Sequence, residues 1–106
     1  MPPVFYTTIS SGQKVSATVD LRKNPRLLHV DYPVMTSGDT YVQGSTDGVS
    51  AGFHRLADNV GQIANATGPG STMVLWPGGY QQPGYVRFES LVAQADVRTL
   101  SIYANR

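Results

Sequence analysis

The chain has 106 residues, with eight Lys or Arg against seven Asp or Glu, and a net charge of +1. No cysteine and no basic run longer than Arg22-Lys23 occur, which excludes a disulfide framework and a thiolate metal site and argues against the dense basic footprint of a nucleic-acid binder. Only 14% of residues are charged, 41% are hydrophobic, and eleven glycines and seven prolines are spread through the chain, the composition of one turn-rich all-β domain over residues 1–106 rather than of a helical bundle or a disordered tail.

Residues 1–3 read as a loose arm, because Pro2 and Pro3 cannot donate to a ladder. Residues 1–9 thus comprise an N-terminal arm and a first strand, Val4 to Ile9. Met1-Pro2-Pro3-Val4 has neither the basic start nor the apolar run of a secretory signal, and no segment is long and apolar enough for a membrane span. Without cysteines, assembly in a reducing cytosol is the expectation.

Ser10 to Gln13 is a turn. Val15, Ala17, Val19 and Leu21 alternate with Ser16, Thr18 and Asp20, the clearest period-2 run in the chain. A polar turn ends at Pro25, and Arg26 to Tyr32 forms a third strand with Leu28, Val30 and Tyr32 on one face. Pro33 marks an edge, a bulge or the strand end. Asp39 to Val49 is the centre of the chain: an alternating strand, then Thr46-Asp47-Gly48, which reverses direction because Asp tolerates and Gly readily adopts a left-handed backbone. Phe53 to Leu56 is its expected return strand.

Residues 53–65 are ambiguous. Phe53, Leu56, Ala57, Val60, Ile63 and Ala64 lie near helical spacing, but Asn59 and Gly61 are poor in a helix interior, so two short strands are preferred. Ser71 to Trp76 reads as a strand, Pro77 to Pro83 as a long Gly/Pro-rich loop, Gly84 to Ser90 as a strand, Leu91 to Val97 as a connection and Arg98 to Ala104 as the closing strand. About eight or nine short strands with regular turn signals predict a single antiparallel β-sandwich of jelly-roll type. Its core is expected to hold Val15, Val19, Leu28, Val30, Val42, Leu75, Val86, Phe88, Leu100 and Ile102.

Catalytic patterns are missing. His29 and His54 have no ligand spacing or orienting partner in sequence, no nucleophile elbow or phosphate-binding loop occurs, and the seven acids fall mostly in turns or on polar faces. Asn65-Ala66-Thr67 matches a glycosylation sequon without a secretory context. The reading is therefore of a non-enzyme with no cofactor and no metal. The exposed-loop candidates are Trp76, Tyr80, Gln81, Gln82 and Tyr85. Aromatics beside amides and glycines can cap the core, anchor a protein interface or stack on a sugar. Pro2, Pro3, Val4 and Phe5 are a second candidate interface, an arm that orders on binding.

Three segments, SGQKVSATVDL (Ser11 to Leu21), QGSTDGV (Gln43 to Val49) and LWPGGYQQPGYVRFES (Leu75 to Ser90), give the chain a style that resembles small virion proteins of tailed bacteriophages. The resemblance implies a virion component assembled in the host cytoplasm, with capsid decoration as a common role. The implied partner is the major capsid protein or another virion protein. It carries no site residue across. A short sandwich without disulfides also needs cover for its sheet edges, so a homo-oligomer, a trimer first, is expected. A tail or fibre glycan-binding module and a tail or neck connector are the alternatives.

Overall fold

A computed structural model describes residues 3–36, 38–57, 64–66 and 70–106. Its strands are β1 (Val4–Ile9), β2 (Val19–Asp20), β3 (Arg26–Met35), β4 (Asp39–Ser45), β5 (His54–Arg55), β6 (Ala64–Ala66), β7 (Gly70–Gln81), β8 (Tyr85–Ser90) and β9 (Arg98–Asn105). All pairings among them are antiparallel. They nest: β1 pairs with β9, β2 with β8, β3 with β7, and β4 with β5 and β6. The chain therefore runs out and back as one long ribbon. Alternate rungs of that ribbon fall in opposite sheets, giving β1-β9-β3-β7 in one and β2-β8-β4-β5 in the other, with β6 also on β4. This is the jelly-roll sandwich that the strand count and turn spacing predict.

The two sheets bury one core between them. Val42, Val86, Phe88, Leu100 and Ile102 are fully inside, as their period-2 runs require. Phe88 of β8 meets Tyr32 of β3 edge to face, with ring centroids 6.1 Å apart, so one aromatic contact ties the sheets together. The central turn forms as its residues dictate. Ser45 Oγ accepts the N–H groups of Asp47 and Gly48, and Asp47 Oδ1 accepts the Val49 N–H at 3.0 Å. Gly48 takes φ of 75°. A short 3-10 turn, Ser50–Gly52, then leads into β5, where Gln43 faces Arg55.

Several residues expected inside face outward or are only half-buried. Leu27, not Leu28, is buried, because a register irregularity between Leu27 and His29 shifts the parity of β3. The run 15–21 is ladder-paired only at Val19–Asp20, plus a bridge from Val15 to Glu89. Between them Ser16 is buried, because its hydroxyl accepts the Phe88 N–H at 2.9 Å while its own N–H reaches the Phe88 carbonyl. Ala17 is consequently exposed and Val15 only half-buried. Leu75 faces outward at 62% exposure, and Val74 and Trp76 take the inner face instead.

Segment 77–81 is strand rather than loop. β7 runs through it, but Leu27 pairs with Tyr80 and His29 with Leu75, so two steps along β3 match five along β7. The Pro77-Gly78-Gly79 sequence is thus a wide bulge within an edge strand, where proline is tolerated. Pro33 likewise lies inside β3, beside the second irregularity, between Tyr32 and Met35. In the ambiguous segment, residues 54–55 and 64–66 are strands and residues 58–63 lie outside the described residues.

Candidate functional site

The jelly roll offers three surfaces with distinct chemistry: the outer face of each sheet and a groove at one end. The five-stranded sheet turns Tyr41 and Gln43 of β4, Arg87 and Glu89 of β8 and Arg55 of β5 outward. Their spacing follows from the register, which sets Gln43 between Arg87 and Arg55, and Tyr41 beside Glu89. Arg55 donates through Nε and Nη2 to both Glu89 oxygens, at 2.8 and 2.9 Å. Gln43 Nε2 donates to Glu89 Oε1 at 2.8 Å, and Arg87 Nε donates to Gln43 Oε1. The Arg55 guanidinium lies 4.0 Å from the Tyr41 ring centre, and that of Arg87 lies 4.3 Å from the Phe53 ring.

This ladder holds Glu89 below the usual glutamate range, first because Arg55 hydrogen-bonds to it and then because Gln43 does, against an opposing push from burial. Arg55 is raised, again mainly by its hydrogen bonds to Glu89. The face is therefore closed upon itself. Its cations already cover Tyr41 and Phe53, and its carboxylate is already bound.

The four-stranded sheet is the reverse. Val4 of β1, Tyr103 of β9, His29 of β3 and Leu75 of β7 pair in one row across all four strands. Tyr6, Ser101, Asp31 and Met73 form the next row. Tyr6 is 68% exposed, Leu75 62% and Met73 53%. Within the first row His29 stacks on Tyr103, with ring centroids 4.0 Å apart. His29 thus has an aromatic neighbour in place of the carboxylate that would orient a base, and His54 is exposed on β5.

At one end, Phe5, Asp20, Arg22, Lys23 and Asn24 line a groove of about 560 Å³. Arg22 donates to both Asp20 oxygens, at 3.0 and 2.8 Å, and its guanidinium lies 4.9 Å from the Tyr85 ring centre. Those hydrogen bonds hold the Asp20 carboxyl down to about 2.

The residues singled out from sequence are scattered over these surfaces. Pro3 is exposed, its carbonyl accepting the Ala104 N–H at 3.3 Å, and Pro2 lies outside the described residues. Val4 belongs to the outer face of the four-stranded sheet and Phe5 to the groove wall, packed against the core. Trp76 is half-buried against the core, Gln81 is exposed, and the Tyr80 side chain lies outside the description. Gln82 is only 4% exposed, so it is no surface amide. It accepts the Gly84 N–H and donates to the Leu21 carbonyl at 3.3 Å, building the turn between β7 and β8. Tyr85 lies under Arg22.

Sequence reading passed over Gln94, which is 1% exposed. Its amide donates to Ser90 Oγ and the Val92 carbonyl and accepts the Thr36 N–H, pinning two loops together. A polar residue in a polar connection carries no local sign of burial. The same holds for Arg55 and Glu89, 34 positions apart.

These features define a jelly-roll β-sandwich with one self-satisfied polar face, one mixed face that exposes Tyr6, Met73 and Leu75, and an end groove. No protein-family model matches the sequence, and no curated protein sequence does. Among solved structures the fold is similar to CBM32-1, a carbohydrate-binding module from a family 31 glycoside hydrolase of Clostridium perfringens, at TM-score 0.51 and 11% identity over 94% of this chain and 75% of that one. The Yersinia pseudotuberculosis-derived mitogen is a more distant likeness, at TM-score 0.40 and 10% identity over 99% of this chain and 86% of that one. At these identities the first likeness confirms the β-sandwich fold.

Proposed function

We propose that this chain is a non-catalytic virion structural protein, a capsid decoration protein that docks on the major capsid protein or another shell component through the outer face of its four-stranded sheet. The observation that carries this reading is the pair of rows on that face. Tyr6, Met73 and Leu75 stand largely in water, with Val4, His29 and Tyr103 between them. Large hydrophobic side chains exposed at both edges of one sheet face, with Ser101 and Asp31 between Tyr6 and Met73, suit a mixed surface that another protein covers. Tyrosines at such a surface supply large contact area and a polar tip.

The experiment locates the protein in purified particles and measures its occupancy for the wild type and for Tyr6→Asp. Occupancy that falls with Tyr6→Asp while the fold persists supports the reading; unchanged occupancy overturns it.

The end groove favours a second reading, a glycan-binding module. Phe5 gives an apolar wall, and Asp20, Arg22, Lys23 and Asn24 give donors and acceptors on one rim. In that case Arg22→Ala and Asn24→Ala abolish binding to host-cell glycans while particle occupancy is unchanged.

A further inference from the structure

We propose that β7 pairs edge to edge with β7 of a second copy of this chain, antiparallel about a two-fold axis at Val74, making one eight-stranded sheet. β7 ends the order of its sheet, and among the described residues no strand pairs with its other edge. A bare strand edge is a row of unpaired donors and acceptors, and proteins that stay monomeric block such edges with charge, brevity or proline. β7 spans twelve residues and contains no charged side chain; Pro77 is its one blocking residue and sits at the bulge. The stretch Thr72 to Leu75 before the bulge pairs with β3 without interruption, so it is straight enough to template a further strand.

The occupant follows from the self-complementarity of that stretch. Antiparallel pairing of Val74 with Val74 of the second copy puts Met73 of each chain opposite Leu75 of the other. Both side chains point outward and are largely exposed in the single chain. The seam thus gathers four apolar side chains and no charge, so nothing repels the chain from itself. The rows described above also continue across it. Val4, Tyr103, His29 and Leu75 run on into Met73, Asp31, Ser101 and Tyr6 of the second copy. The pairing would double this outer face without using its Tyr6 end.

The test uses the full chain. Light scattering on the wild type should give twice the chain mass, and Met73→Lys and Leu75→Glu should each shift the mass to that of one chain. Mixing the two single variants should restore a dimer, because Lys and Glu then face each other across the seam. Because the chain has no cysteine, Met73→Cys mixed with Leu75→Cys supplies an independent readout: a disulfide-linked heterodimer under mild oxidation, which Tyr6→Cys mixed with Leu75→Cys should not form. A wild type that stays monomeric at all concentrations, a mass of three chains, or equal crosslinking by the Tyr6→Cys pair overturns the proposal. Tyr6→Asp, on the opposite edge, should leave the dimer intact, which separates failure of this pairing from failure of the docking reading.

Discussion

The two outward faces of this sandwich use the same strand geometry for opposite ends. On the five-stranded sheet, Arg55, Glu89, Gln43 and Arg87 satisfy one another and lie over Tyr41 and Phe53. On the four-stranded sheet, Tyr6, Met73 and Leu75 have no such cover. The first face spends its chemistry on the domain itself, whereas the second leaves it for something else. Polarity alone is therefore a poor guide to the functional side, since the face richest in charge is the one already complete.

The core beneath both faces sets the largest expected effect. Phe88→Ala removes the ring that meets Tyr32 across the sandwich, and should cost about 3–5 kcal/mol in chemical denaturation. Both faces should be lost together. If either survived the transition, the sheets would not share one cooperative core.

Glu89→Ala tests the closed face. It strips Arg55 and Gln43 of their acceptor at a half-buried position, and should cost about 1–3 kcal/mol. The pH profile carries the same information. Because Glu89 titrates below its ordinary 4.5 in the folded protein, its contribution is fully present above that value. It is lost as pH falls through the lowered folded value. Stability should therefore decline from about pH 4.5 downward, and Glu89→Gln should flatten that part of the curve in urea titrations at stepped pH.

On the open face, Tyr6→Ser should change stability by no more than about 0.5 kcal/mol, because its side chain is already mostly in water and lies away from the β7 edge. A cost as large as that of Glu89→Ala would mean that this face, too, serves the fold. Smallest of all, His54→Ala, on the other sheet, should leave biological activity unchanged after correction for folded protein, whereas His29→Ala removes a member of the docking face. A specific loss of activity with His54→Ala would instead point to chemistry on the five-stranded sheet.

Strand content was readable because each strand reports its own alternation. In β8, Val86, Phe88 and Ser90 face in while Tyr85, Arg87 and Glu89 face out, as period two demands. The Asp47-Gly48 reversal was readable for the same local reason, since Gly48 alone in that turn takes a positive φ. What escaped was parity across bulges. Leu27 replaces Leu28 because the ladder, not the strand's own pattern, decides which side is inside, whereas Leu75 lies in an unbroken alternation whose inner side is Val74 and Trp76. Ser16, Gln82 and Gln94 escaped because each is buried by hydrogen bonds to distant segments.

The sequence by itself therefore determined the class of fold, the approximate strands, and the central turn, all properties of neighbouring residues. Only the tertiary structure decided the faces. Tyr6, Tyr103, His29 and Leu75 come from four strands and share a surface only when β1, β9, β3 and β7 lie in that order and register. Register is set by hydrogen bonds between strands far apart in the chain, and a one-residue slip would turn each of those side chains to the other side.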